Sequence, residues 1–61
     1  MSIYLISELL DCLNDFQNQG LKYVEISEFT DDEDDISILN LDAIEDNVST
    51  INEQIESVSI D

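Results

Sequence analysis

The sequence predicts an α+β domain in which two amphipathic helices pack on an antiparallel hairpin, in the order α-β-β-α. Three observations predict it. Apolar residues recur at threes and fours over residues 2–18, the spacing of one helical face. The same spacing returns over residues 43–58, and between them residues 21–29 and 36–41 have the alternation and β-forming composition of strands. Two helices over one face of a hairpin make two layers around a single core. The chain of 61 residues accommodates one domain (1–61), near the lower size limit for folding alone.

In the first helix Ile3, Ile6, Leu9, Leu10, Leu13 and Phe16 form the apolar stripe. Ser2 is its expected N-cap and Gly20 its expected C′ stop. On a wheel of about 100° per residue, Glu8, Asp11 and Asp15 fall within roughly 60° of one another, nearly opposite that stripe.

The first strand is carried by Tyr23, Val24, Ile26 and Phe29, with Lys22-Val24-Ile26-Glu28 alternating against Tyr23-Glu25-Ser27. Residues 30–35 contain Asp31-Asp32-Glu33-Asp34-Asp35, a run whose mutual repulsion forbids a ladder and predicts a loop. Residues 36–41 (ISILNL) supply the second strand. A hairpin alone is marginal in water and has to pack on the helices.

Over residues 43–58, Ile44, Val48, Ile51, Ile55 and Val58 step by four, three, four and three, a seam of heptad type. Asp42 is the expected N-cap. Asp42, Glu45, Asp46, Glu53 and Glu56 lie on the other side, within about 100° on the wheel. Residues 56–60 also alternate, and offer a competing short strand after a shorter helix. The expectation is helix through about Ser57. Open hairpin edges and the heptad seam are two surfaces from which a homodimer could form, and the sequence does not choose between them.

Charge bears most directly on function. Sixteen acids face one lysine, with no arginine and no histidine, for a net charge of −15. Solubility alone is served by a magnitude of about 2–8. The excess opposes folding through self-repulsion, so it points to use against a strongly basic surface. With hydrophobic residues at 43% this is not a disordered acidic tail. Small domains usually draw support from a disulfide, a metal or a partner. The single Cys12 excludes an internal disulfide, and one thiol without histidine excludes a structural zinc site. A dimer, or stabilisation by a target, remains.

The first residues lack a positive n-region, and no stretch approaches the roughly 20 apolar residues of a membrane span. A cytoplasmic protein is expected, in keeping with one unpaired thiol. Lipid headgroups and nucleic acid itself would be repelled. Enzyme activity and cofactors are not expected. No histidine serves as a general base and no arginine clamps an oxyanion. Cys12 stands among acids, which should raise its thiol pKa and make it a poor nucleophile. Counted from Asp31, a calcium loop would need glycine and glutamate where Ile36 and Asp42 stand, so no specific metal site is expected.

The acids are also spaced suggestively. Duplex DNA presents a phosphate about every 3.4 Å per strand along its axis. Acids three or four apart on a helix recur roughly every 4.5–6 Å. In size, charge and layout the chain resembles the small acidic nucleic-acid mimics of phages and mobile elements: anti-restriction proteins, anti-CRISPR proteins and uracil-DNA glycosylase inhibitors. Glu56-Ser57-Val58 is similar to the Glu-Ser-Ile tripeptide those glycosylase inhibitors insert, from a strand, into the enzyme's DNA groove. The resemblance implies an inhibitor that fills the cationic groove of a basic nucleic-acid-binding protein. The residues expected to carry this are Asp31, Asp32, Glu33, Asp34 and Asp35, then Glu8, Asp11 and Asp15, with Glu45, Asp46, Glu53 and Glu56 as the other wall. Tyr4, Tyr23 and Phe29 are candidate anchors. The alternative is an antitoxin or immunity-type protein covering one basic toxin.

Overall fold

A computed structural model describes residues 2–33 and 35–60. The apolar stripe of the first segment forms helix α1, Ile6–Asn18, later in its start than expected. Leu5 occupies the N-cap position in extended geometry (φ −70°, ψ 128°) and no side chain caps the helix, so Ser2 is not the cap. Its hydroxyl instead donates to Ser37 Oγ at 2.6 Å, and the Ile3 carbonyl accepts the Val58 N–H at 2.8 Å. These tertiary bonds hold residues 2–5 outside the helix. At the other end the expectation is met. Gly20 takes φ +85°, its N–H reaches the Gln17 carbonyl at 3.0 Å, and the Leu21 N–H reaches the Phe16 carbonyl at 3.1 Å. This pair of bonds is the Schellman ending, and it requires a left-handed residue at the position of the chain's single glycine.

Three strands follow: β1 Tyr23–Asp31, β2 Ile36–Glu45 and β3 Val48–Glu56. They form an antiparallel meander in the order β1-β2-β3. The class is α+β, with one helix and a three-stranded sheet. The first two strands lie close to where alternation puts them, in a register running from Tyr23 opposite Ile44 to Asp31 opposite Ile36.

The helix expected over residues 43–58 is not formed, and the α-β-β-α order gives way to α-β-β-β. β2 continues to Glu45, and the chain reverses at Asp46-Asn47, whose φ angles of 53° and 65° are those of a two-residue type I′ turn. Glu45 then faces Val48 across the hairpin. The physical reasons are local. A helix here would carry its acids with no cation three or four residues away, and Glu53 and Glu56 at its negative end. Ile51 and Ile55, four apart, fit a strand face as well as a helical one. Asp42, expected as a cap, sits in the middle of β2. The competing strand over residues 56–60 is also displaced, since β3 ends at Glu56. With the helix goes its heptad seam as a dimer surface. Between Ala43 and Ile44 the register slips by one residue, leaving Thr50 as a bulge whose hydroxyl donates to the Ala43 carbonyl at 3.1 Å.

One face of the sheet packs under α1. Cys12 and Phe16 meet Leu41, Ala43 and Ile55, with Leu41 at 0% exposure. Tyr4, Leu9, Leu13, Leu21, Val24, Leu39 and Ile51 surround this small core. On the opposite face the amides interlock. Asn52 Nδ2 donates to Asn40 Oδ1 at 2.8 Å and to Asp42 Oδ1 at 2.6 Å, Asn40 Nδ2 donates to Asp42 Oδ2 at 3.1 Å, and Gln54 Nε2 donates to Asn40 Oδ1 at 3.2 Å. This ladder satisfies the buried Asn40 where an apolar layer is missing. Among the described residues no helix is long and apolar enough to cross a membrane.

Candidate functional site

The acids expected to act together fall into three places. Glu8, Asp11 and Asp15 project from one flank of α1, within about 60° of one another and to one side of the buried Cys12 and Phe16. β3 brings Glu53 to the same flank, on the face it shares with Ile55, and Glu56, of opposite parity, reaches the groove as the last residue of the strand. Together the five carboxylates line an open groove of about 720 Å³ between α1 and β3, floored by Cys12 and Ile55. Among the described residues the groove has no cationic lining.

Asp32, Glu33 and Asp35 occupy the turn between β1 and β2, and Asp31 ends β1 opposite Ile36, so the loop expected over residues 30–35 begins two residues late; all four are exposed, and Asp34 lies outside the described residues. The Asp31 carboxylate accepts the Glu33 N–H at 3.0 Å, a local bond that fixes the start of the turn. Asp35 takes φ +57°, a left-handed geometry that aspartate tolerates better than most residues. Glu45 and Asp46 belong to the β2–β3 turn, at the opposite end of a molecule 38 Å long. They do not form one wall with Glu53 and Glu56. That expectation rested on the second helix and fails with it.

Electrostatics inside the groove follow from burial and like charge. Cys12 Sγ donates to Glu53 Oε2 at 3.4 Å. Burial, then the Glu53 hydrogen bond, then the charges of Glu53 and Asp15, push the thiol up to about 11. A protonated, buried thiol among carboxylates does no nucleophilic chemistry at neutral pH. Tyr4, a candidate anchor, is already engaged, its hydroxyl donating to Glu28 Oε2 at 2.8 Å, and burial followed by Glu28 raises its pKa. Tyr23 and Phe29 are exposed at the two ends of β1. Among the described residues no three acid or thiol groups are placed to hold a metal ion.

Two acids matter that the site expectation omitted. Glu28 anchors the N-terminal segment through Tyr4, and Asp42 closes the amide ladder on the uncovered face. Strand alternation assigns Glu25 and Glu28 to opposite faces, which was the available signal for the first. Comparison with family models, curated proteins and solved structures finds no match to this chain.

Proposed function

We propose that this chain is a non-enzymatic inhibitor, a nucleic-acid mimic that occupies the basic groove of a DNA- or RNA-binding protein and excludes nucleic acid by competition. The observation that carries the reading is the α1–β3 groove, where two separate elements contribute five carboxylates and no cation. The single lysine, Lys22, lines a different cleft, near the end of α1 and the start of β1. A surface that merely happened to be polar would intersperse the two signs of charge. Glu56 lies on a strand, as the similar Glu-Ser-Ile tripeptide does in glycosylase inhibitors.

Binding works by counterion release at the target's cationic groove, together with long-range attraction. Nucleic acid and anionic membranes are repelled by the same charge, which leaves a basic protein of the cytoplasm as the partner. The test is capture of partners from a cell lysate at low ionic strength on the immobilised chain, followed by elution with a salt gradient. A nuclease, glycosylase or other nucleic-acid enzyme leaving the column late is the expected result. A partner whose retention is indifferent to salt overturns the reading.

A further inference from the structure

The sheet has two edge strands, β1 and β3. Just past the end of β3 the chain gives the Val58 N–H to the Ile3 carbonyl, so the N-terminal segment lies beside that side of the molecule. β1 pairs with β2 alone, over nine residues, with no break in register. It contains no proline, and every residue in it except Val24 is exposed. Such an edge is a template for another strand unless it is blocked by charge, bulge or cover.

β1 carries Glu25, Glu28 and Asp31, but the surface beside it on α1 is apolar where the opposite flank of the helix is acidic. Ile6, Leu10 and Gln17 fall within about 40° of one another on α1, away from the acid row. Gln17 lines a cleft with Leu21, Lys22, Tyr23 and Val24, which sets this flank toward β1. Ile6 is 74% exposed, Leu10 52%, and Ile26, on the α1-bearing face of β1, 53%.

We propose that β1 is the interface of a symmetric homodimer, two copies pairing antiparallel with Ile26 on the twofold axis. A twofold normal to the sheet keeps faces together, so it must centre on a residue. Centring on Glu25 or Glu28 sets like carboxylates directly opposite, which is destabilising. Centring on Ser27 opposes Ile26 to Glu28 and Phe29 to Glu25. Centring on Val24 leaves the end of the strand unpaired. Centring on Ile26 pairs Tyr23 with Phe29 twice, Glu25 with Ser27, Lys22 with Thr30 and Val24 with Glu28, half as many apolar–carboxylate pairings as the Ser27 centre makes from Ile26 and Phe29. It also sets Lys22 diagonal to Glu28 of the partner subunit, about 7–8 Å away and within a lysine's reach. The chain's only cation then faces a carboxylate across the interface. The edge is abolished, and a continuous six-stranded sheet covers apolar surface that the small core does not.

This dimer is independent of the inhibitor reading, and salt separates the two. Each copy carries a net charge of −15, so screening strengthens self-association while it weakens binding to a basic target. The experiment is sedimentation equilibrium across a salt series, together with a scan that adds one cysteine at a time over residues 24–28 while the buried Cys12 is retained. A dimer whose population rises with salt is expected, lost in Ile26→Lys, with circular dichroism reporting that the variant folds. Oxidative crosslinking is expected to be fastest for Ile26→Cys, because on-axis Cα atoms about 4.5–5.5 Å apart suit a disulfide. A monomer at every salt concentration, a dimer that survives Ile26→Lys, or crosslinking that peaks at another position each overturns the proposal.

Discussion

The thiol of Cys12 donates to the Glu53 carboxylate at 3.4 Å, joining α1 to β3 across the floor of the acidic groove. Both groups are held where burial and like charge favour the protonated thiol. A thiol whose pKa is raised in the folded state supports folding below the unfolded value. That support disappears as pH rises through the folded value. The thiol moves from 9.0 to about 11, so wild type should lose stability over that interval, measured by urea denaturation at successive pH values. Cys12→Ala should show a smaller loss, the remainder including Tyr4, whose pKa is also raised. Equal pH dependence in the two proteins would exclude the contact.

Gly20→Ala tests the end of α1. The added methyl meets nothing within 4 Å, so the cost is conformational alone, at φ +85°. A destabilisation of about 1 kcal/mol is expected from thermal unfolding. An unchanged melting temperature would show that the helix ends differently.

The β2–β3 turn distinguishes the strand from the helix that residues 43–58 suggest. Asn47 has φ +65°, so Asn47→Gly should stabilise by a few tenths of a kcal/mol or more and Asn47→Val should destabilise by about 1–2 kcal/mol. In a helix the order reverses, because glycine is a poorer helix former than valine. Chemical denaturation of the two variants reads the difference.

Neutralising the groove should separate stability from function. Glu8→Gln, Asp11→Asn, Asp15→Asn, Glu53→Gln and Glu56→Gln together remove five charges of one sign from facing walls. Thermal stability should rise, most at low ionic strength, because self-repulsion is relieved. Affinity for the captured partner should fall. The matching variant in the β1–β2 turn, with Asp31, Asp32, Glu33 and Asp35 replaced by Asn, Asn, Gln and Asn, should weaken binding less. The reverse order would move the site from the groove to the turn.

Much of the first two thirds of the fold is legible in the sequence, and the physical reason is redundancy. α1 has a wide apolar stripe and a glycine where a left-handed residue is required. β1 and β2 have β-formers and an acid run that marks the turn between them, although its first member, Asp31, still pairs with Ile36. The last third is ambiguous because Ile44, Val48, Ile51 and Ile55 satisfy a heptad, while the strand is specified by the Asp46-Asn47 turn and by charges a helix cannot compensate. The groove was half legible. Glu8, Asp11 and Asp15 share one flank of α1 as the helical period requires, and Glu53 and Glu56 line the same groove for a reason the sequence does not display, the return of β3 alongside α1. Glu45 and Asp46 were assigned to the same wall by a helical wheel that does not apply.

The most direct measurement is competition for the captured partner between this chain and a fluorescent duplex or single strand, followed by anisotropy over a range of salt. The account predicts that the chain displaces nucleic acid in full, with an affinity falling linearly on a logarithmic salt axis, and that the groove variant flattens the slope. A ternary complex, in which the partner holds nucleic acid and the chain together, would contradict it.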